Sequence, residues 1–351
     1  MSTDSKNQYP QPLKLSGALD GYEYIDATPA IGREYLKVDL VEWLNASNAD
    51  DLIRDLAVTI SQRGVVFLRA QNNLTDEIQK KLVVRLGELT GRPSTSSLHI
   101  HPVLNSEREM GGEDANISTI SSKQRSKLEK RTNEDGVVVT KRNTEYWHSD
   151  IAFEPAPADY TCLRLVELPS TGGDTLWASG CDIYDSMSPK YQKFLESLTA
   201  TFSQPNFSRI AEKQGFELYE KPRGSPHNIG RSMKAIHPVV RTNPVTGWKS
   251  IFPVGAHVSH INDVTTEESE NLLKWFLDIV AKGHEFQVRF KWQNANDVAI
   301  WDNRSVFHCA TADYDGLGDR FGVRVVGVGE RPYFDEGSMS KRDMLEGESV
   351  K

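Results

Sequence analysis

Hydrophobic positions recur at helical spacing in the first quarter of the chain. Residues 50–63 carry an apolar side chain at every third or fourth position and are followed by Gly64, which predicts a helix that ends there. Val65–Leu68 is a short apolar run typical of a buried strand. A second helix is expected to begin at Thr75, whose hydroxyl can cap it, and to carry an apolar stripe that reaches Leu89.

The second half of the chain is richer in strands. Two helices are predicted there, one over 188–202 with Pro189 in its tolerated first turn, and one from Thr265 or Thr266 to Lys282. Strands are predicted at 160–166, 175–177, 286–292, 298–301, 306–310 and 323–328. The pattern alone therefore predicts an α+β fold with a central antiparallel sheet and flanking helices.

Two polar ends and one long polar segment set the expected domain organisation. Residues 1–17 are expected to form a loose tail and residues 336–351 a polar tail, which leaves a single domain over 18–335. The segment 105–143 is rich in charged residues, Ser, Asn and Gly and lacks apolar periodicity. Loops of this length are uncommon and are usually lids, binding loops or disordered segments. The segment 105–143 could therefore be either a lid or a disordered insertion, and the sequence favours neither.

Composition narrows the class of protein. Of the 351 residues, 38% are hydrophobic and 26% are charged, which is typical of a globular protein with a sizeable core. The net charge of -8 argues against a nucleic-acid or anionic-membrane surface but leaves an anionic small-molecule substrate open. The three cysteines form neither a disulfide framework nor a zinc pattern, and there is no signal core and no membrane-length apolar run. A cytoplasmic protein is therefore expected, and a homo-oligomer remains open.

Two imidazoles and a carboxylate form the most specific chemical pattern. His148 and Asp150 are two residues apart, so on an extended strand their side chains leave the same face. With the distant His308 they would supply two His and one carboxylate, which is the ligand set of non-haem Fe(II) oxygenases. Arg320 and Arg324 follow His308 and could fix a carboxylate-bearing co-substrate beside the metal. The trio is therefore a candidate Fe(II) site.

Other residues that invite a chemical role have an ordinary structural interpretation. A single histidine is more often a surface or hydrogen-bonded structural residue than a ligand, and we expect this of His227, His257, His260 and His284. His237 is expected to have a packing role. Beside the candidate ligands, Trp147 and Trp301 are expected to pack, and Cys309 to be a small buried hydrophobe.

Six stretches of the chain, in the same order, resemble the taurine dioxygenase / 2,4-dichlorophenoxyacetate dioxygenase family of Fe(II)- and 2-oxoglutarate-dependent enzymes. They cover about residues 35 to 333 and lie at 98–103, 147–150, 172–177, 237–247, 300–304 and 310–314. The ordered set is much more specific than any one of them.

The resemblance implies a double-stranded β-helix, or jelly roll, decorated by helices. It implies Fe(II) as cofactor, bound by the three candidate ligands, with 2-oxoglutarate and O₂ as co-substrates and succinate and CO₂ as co-products. Arg320 would pair with the distal carboxylate of 2-oxoglutarate, and Thr175 would donate a hydroxyl hydrogen bond to the same group. Arg324 would hold an anionic substrate group or crowd the metal-bound carboxylate.

The substrate pocket implied by the resemblance departs from that of the taurine enzyme. His101 matches the histidine that helps bind the sulfonate, but Leu104 and Thr144 stand where the taurine enzyme has Tyr and Asn. Ala256 stands where an aromatic residue is usual. A buried amine without partners would be unfavourable. A small carboxylate or sulfonate that is otherwise more apolar than taurine is therefore expected.

Three other functions are weighed against this hydroxylase. An amino-acid-oxidising biosynthetic enzyme, including one that desaturates or closes a ring, would use the same metal core. A catalytically idle binding module would be expected to lose a ligand or Arg320, and neither is lost. A halogenating enzyme needs an open halide position in place of the carboxylate, and Asp150 argues against it.

Overall fold

The computed structural model describes residues 9–103, 113–123 and 146–349. Its strands are β1 (Tyr24–Asp26), β2 (Arg33–Tyr35), β3 (Val65–Leu68), β4 (Ser118–Ser121), β5 (Ala158–Glu167), β6 (Thr175–Ser179), β7 (Thr199–Ser203), β8 (Lys234–Pro238), β9 (Val240–Thr242), β10 (Lys249–Ile251), β11 (Val258–Ile261), β12 (Gln287–Phe290), β13 (Asp297–Asp302), β14 (Val306–Ala310) and β15 (Phe321–Val328). Its helices are α1 (Leu40–Asn45), α2 (Ala49–Arg63), α3 (Asp76–Glu88), α4 (Gly180–Asp185), α5 (Pro189–Glu196), α6 (Pro205–Gln214), α7 (Thr266–Lys282) and α8 (Lys341–Ser349).

Two facing sheets form the centre of the fold. The larger has the order β1-β2-β3-β13-β5-β15-β4, in which β2 and β3 are parallel and the other pairs are antiparallel. The smaller has the order β12-β6-β14. Phe67 of the larger sheet stacks on Phe290 of the smaller, with ring centroids 4.1 Å apart, and contacts Trp177 edge-on. This buried interior confirms the jelly roll implied by the resemblance.

Helices α2 and α3 cover the outer face of the larger sheet. Because strand side chains alternate, Val65 and Phe67 point into the interior while Val66 and Leu68 pack outward among the apolar residues of the helices. The strand 65–68 is buried on both faces, as the uniform apolar run predicted. The predicted start of α3 is also confirmed, since the Thr75 hydroxyl accepts from an N–H in its first turn.

The remaining strands and α7 form a second apolar cluster beside the jelly roll. Sheets β11-β7-β8 and β10-β9 build it. Thr265 begins α7 with a capping box, in which its hydroxyl and the Glu268 carboxylate each bind the other residue's backbone N–H. Within residues 9–103, 113–123 and 146–349, no helix combines the length and apolarity needed to cross a membrane.

The helix predicted over 188–202 is wrong in its second half. Helix α5 ends at Glu196, and Thr199–Ser203 is instead strand β7, which pairs with β8 and β11. Thr199, Thr201 and Phe202 favour a strand when partners are present on both sides. Those partners are remote in sequence, so the local pattern did not show them.

Parts of both expected tails make contacts with the rest of the protein. The Asp55 carboxylate accepts hydrogen bonds from the backbone N–H groups of Ser16 and Ala18, at 2.9 and 3.0 Å, which holds this end of the tail expected over 1–17. The polar tail expected over 336–351 contains α8, where Lys341 contacts Asp182 at 2.8 Å. The division into one domain and two tails stays a prediction.

The polar segment 105–143 is described only over 113–123. That part contains β4, which pairs with β15 at the edge of the larger sheet. The lid expected from the rest of the segment stays a prediction, because it lies outside the described residues. Leu104 and Thr144 also lie outside them.

Candidate metal centre and co-substrate pocket

A two-residue backbone bridge brings the candidate histidines together. His148 and His308 exchange both backbone hydrogen bonds, with N···O distances of 3.1 and 2.9 Å, outside any longer ladder. Directly opposite residues in an antiparallel pair have side chains on the same face. The two imidazole rings accordingly lie 4.3 Å apart, between centroids.

Asp150 completes the group from a turn. The extended strand predicted through this residue is wrong, since only His148 is bridged, but the side chain still reaches the same face. Its Oδ1 lies 3.8 Å from Nε2 of His148 and 3.8 Å from Nε2 of His308. In the part of the chain that is described, this is the one set of three metal-ligating side chains whose donor atoms all lie within 4.8 Å of one another.

Neighbouring groups orient two of the three side chains. Nδ1 of His148 lies 2.7 Å from the carbonyl oxygen of Tyr146, so this nitrogen carries the proton and donates, leaving the Nε2 lone pair free. The Thr161 hydroxyl donates to Oδ2 of Asp150 at 3.0 Å, and the Asp150 N–H donates to the amide oxygen of Asn303 at 3.1 Å. Such outer contacts are what a metal-binding histidine and carboxylate require.

The protonation states suit a divalent cation. Burial lowers the pKa of His148 and lowers that of His308 to about 3, so both imidazoles are neutral near pH 7. Burial acts to raise the pKa of Asp150, but the charge of the Arg324 guanidinium holds it well below its usual range. Two neutral imidazoles and one carboxylate fit Fe(II).

Arg324 lies directly beside the carboxylate. Its Nη1 donates to Oδ1 of Asp150 at 2.8 Å, while its buried Nε has no hydrogen-bond partner among the described residues. The expectation that Arg324 holds a substrate anion or crowds a metal-bound carboxylate stays a prediction. The contact with Asp150 leaves guanidinium donors for such an anion.

A second polar pocket lies further along the same strands. Arg320 is buried and donates from Nε to the Gly173 carbonyl at 2.9 Å, and its Nη2 lies 3.4 Å from the Thr175 hydroxyl. Trp292 also donates to that hydroxyl, at 3.1 Å. Thr175 pairs with Ala310 and Trp177 with His308, so Thr175 lies on the face of His308, about 7 Å along the strand. Thr175, with Arg320 beside it, therefore lies on the same face of the sheet as His308.

Residues 23–326 match the family model described as "Taurine catabolism dioxygenase TauD, TfdA family". The chain belongs to this family. A TauD-family relative, the alpha-ketoglutarate-dependent dioxygenase esdpJ of Penicillium shearii, is 45% identical over 98% of this chain and 99% of its own length. The alpha-ketoglutarate-dependent sulfonate dioxygenase of Saccharomyces cerevisiae is 30% identical over 88% of this chain and 67% of its own length.

Solved structures of TauD-family enzymes agree with the fold. A taurine dioxygenase from Burkholderia xenovorans has a TM-score of 0.65 and 25% sequence identity, over 90% of this chain and 92% of that one. The chain is therefore an enzyme, an alpha-ketoglutarate-dependent (2-oxoglutarate-dependent) dioxygenase, and the expectation of an idle binding module is not supported. The family implies 2-oxoglutarate and O₂ as co-substrates.

Aromatic rings and imidazoles form a chain of contacts that reaches His148 in this TauD-family enzyme. His101 lies against Phe207, with ring centroids 5.1 Å apart, and Phe207 contacts Phe153 at 5.6 Å. His257 contacts both Phe153, at 5.1 Å, and His148, at 5.7 Å. His257 is hydrogen-bonded, as expected of a single histidine, with Nδ1 3.1 Å from the side chain of Gln204. His237 packs as expected, with Nε2 bonded to the carbonyls of 152 and 154.

Three residues of the site were missed by sequence reasoning. Asn303 and Trp292 have a signal, since Asn303 lies inside the matching stretch 300–304 and Trp292 ends the strand predicted over 286–292. His257 follows Ala256, which the resemblance placed in the substrate pocket, and a loop between β10 and β11 brings it to His148. A contact made through tertiary structure alone leaves no periodic trace in the sequence.

Proposed function

We propose that this TauD-family dioxygenase binds one Fe(II) through His148, Asp150 and His308. The convergence of these three donor atoms within 4.8 Å carries the proposal. The metal, when bound together with the 2-oxo acid and O₂, supplies the oxidative chemistry and releases succinate and CO₂. The chain's own part is to hold the ligands, orient the substrate and exclude water.

The distal carboxylate of 2-oxoglutarate is assigned to Arg320 and Thr175. Both are buried, and a guanidinium carries five N–H donors in a planar fork. A guanidinium binds a carboxylate through two parallel hydrogen bonds, and burial strengthens that pair. Trp292 fixes the Thr175 hydroxyl from the other side.

The substrate is proposed to be a small anion, such as a carboxylate or a sulfonate. Arg324 supplies a positive charge beside Asp150, and that charge also acts on His101. Phe153 and Phe207 supply apolar walls, which favour a substrate more apolar than taurine. A relative that is named a sulfonate dioxygenase supports the same class. Hydroxylation, desaturation and ring closure all use this arrangement.

Succinate release tests the function directly. Supplied with Fe(II), 2-oxoglutarate and O₂, the protein is expected to release succinate in step with oxidation of at least one member of a panel of alkanesulfonates, alkyl sulfates, fatty acids and amino acids. Taurine is expected to be a poorer substrate than the more apolar members. His308→Ala is expected to abolish turnover and to lower the iron content measured after dialysis, because one of three ligands is removed.

The matched control is His260→Ala, which removes an exposed imidazole. It is expected to change neither the turnover nor the iron content. Unchanged iron content and turnover in His308→Ala would contradict the metal assignment. Tightly coupled turnover of taurine, equal to or better than every apolar anion tested, would contradict the proposed substrate class.

A further inference from the structure

The turn that carries Asp150 contains a residue in an unfavourable backbone conformation. Ile151, which follows Asp150, has φ 47° and so lies in the left-handed region. A branched β-carbon makes this region unfavourable, and isoleucine rarely occupies it. The Glu154 N–H closes the turn by donating to the Ile151 carbonyl at 2.9 Å. Such a conformation persists only where the surrounding structure enforces it.

Asn303 fixes the N-terminal side of the turn. Its amide oxygen accepts from the Asp150 N–H at 3.1 Å, and its backbone carbonyl accepts from the Ser149 hydroxyl at 2.8 Å. The backbone bridge between His148 and His308 comes directly before these contacts. The main chain is therefore held on both sides of Ser149 as it reaches Asp150.

A buried ion pair fixes the C-terminal side of the turn. Arg223 donates from Nε and Nη2 to the two carboxylate oxygens of Glu154, at 2.5 and 2.9 Å, and neither side chain is exposed. The Nη1 of Arg223 also donates to the carbonyls of Tyr219 and Gly230, at 3.2 and 2.9 Å. A two-pronged contact of this kind sets the direction as well as the distance of Glu154.

Two more side chains hold the backbone around Glu154. His237, on β8, donates from Nε2 to the carbonyls of 152 and 154, at 3.0 and 3.1 Å. Asn228 donates to the Ala156 carbonyl at 2.8 Å and accepts from its N–H at 2.9 Å. Arg223, Asn228 and His237, here called the clamp, thus act on the chain two to six residues after Asp150.

Ile151 joins the two fixed sides of the turn. If the clamp is loosened, its φ is free to relax to a negative value, because nothing else in the turn favours the left-handed region. Rotation there moves the Asp150 carboxylate, whose Oδ1 lies 3.8 Å from Nε2 of each of the two candidate histidines. The geometry of the metal group therefore depends on the conformation of Ile151.

We propose that the clamp residues are positioning residues, which force Ile151 into the left-handed region and so hold the Asp150 carboxylate where it joins both histidines on one metal ion. This rests on the proposed function. The clamp acts through the turn, so its effect is on the affinity for the metal rather than on any contact with the substrate.

Binding of Co(II) alone to the metal-free, full-length chain measures this role separately from turnover. Arg223→Lys keeps the positive charge but loses the two-pronged contact, and is expected to weaken Co(II) binding about tenfold and to change the visible spectrum of the bound ion. Asn228→Ala loosens the clamp elsewhere and is expected to act in the same direction. Arg231→Lys is the matched control, since its ion pair with Glu220 is exposed, and wild-type affinity is expected.

Substitution of Ile151 separates positioning from general loss of stability. Ile151→Gly and Ile151→Ala both remove the buried side chain, but only glycine adopts φ 47° without strain. Combined with Arg223→Lys or Asn228→Ala, Ile151→Gly is expected to bind Co(II) several-fold more tightly than Ile151→Ala. With the clamp intact, the two single variants are expected to bind Co(II) alike, and the alanine variant is expected to unfold at the lower urea concentration.

The outcomes distinguish this role from the metal assignment. Wild-type Co(II) affinity in both Arg223→Lys and Asn228→Ala, or equal affinities in the glycine and alanine double variants, overturns the positioning role and leaves the metal assignment standing. If neither clamp variant folds, the single variants decide, and a glycine variant that is less stable than the alanine variant overturns the role. A wild type that binds no Co(II) overturns the metal assignment and the positioning role with it.

Discussion

Among single residues, Arg320 allows the clearest test by substitution. It is buried, and the Gly173 carbonyl and the Thr175 hydroxyl orient its guanidinium. Truncating one partner of a buried charge pair costs about 2–5 kcal/mol. We therefore expect Arg320→Ala to raise the Michaelis constant for 2-oxoglutarate at least about tenfold while iron content stays unchanged.

Arg320→Lys keeps the charge but loses the two-pronged geometry, so an intermediate value is expected. Arg231→Ala is the control, because that arginine is exposed and paired only at the surface. An unaltered Michaelis constant in Arg320→Ala would show that another group holds the carboxylate.

The sequence predicted the chemical identity of the site better than its surroundings. His148, Asp150 and His308 were found from their spacing and order, and the structure brings their donor atoms together. The Tyr146 carbonyl, which orients His148, acts through the backbone. Such contacts depend on the fold and on no residue pattern, so they could not be predicted.

At the scale of an element, the loop between β10 and β11 packs against the backbone at Trp147, next to the candidate ligand His148. Gly255 has φ 86°, and a Cβ added there would lie 1.7 Å from the carbonyl oxygen of Trp147. The chain at His148 would have to move. We expect Gly255→Ala to lower the free energy of unfolding by more than about 2 kcal/mol, because φ strain and a backbone clash act together, and to weaken iron binding.

Gly91→Ala is the matched control. Gly91 also has a positive φ, 84°, but nothing lies within 4 Å of its added Cβ, so only the φ strain remains. This variant is expected to lower the free energy of unfolding by about 1 kcal/mol and to leave iron binding intact. Denaturant unfolding and iron titration measure both effects, and equal losses in the two variants would argue against the clash.

Elements with a strong local signal were predicted and those that depend on remote partners were not. Helices α2, α3 and α7 have caps and apolar stripes within their own sequences. Strand β7 and the single bridge between His148 and His308 depend on residues far away along the chain. The resemblance, by contrast, implied the jelly roll as a whole, because ordered motifs carry tertiary information that periodicity lacks.

For the whole molecule, buried neutral histidines set a pH dependence of stability. His237 is buried and its Nε2–H donates to two backbone carbonyls, and burial lowers its pKa to about 3. The unfolded chain takes up a proton below about pH 6.5, whereas the folded chain does not until about pH 3. The stability of the metal-free protein is therefore complete above pH 6.5 and is lost as the pH falls below it, by about 1.4 kcal/mol per unit for this group.

Urea unfolding of the metal-free protein between pH 4.5 and 7.5 measures that slope. His237→Gln keeps a donor and cannot titrate, so its slope is expected to be smaller by one proton per molecule. His260→Gln serves as the exposed control and is expected to keep the wild-type slope. Identical slopes in the wild type and His237→Gln would show that another group takes up the proton.

The bridge between His148 and His308 also constrains how the enzyme is made. Synthesis of the chain delivers His148 and Asp150 well before β14 and β15 exist, so a nascent chain at that stage has two of the three proposed ligands and lacks His308, Arg320 and Arg324. If the proposed ligands bind the metal, its loading follows translation of nearly the whole domain. Prematurely terminated products would be metal-free, and iron availability after synthesis, more than during it, would determine how much of the protein is active.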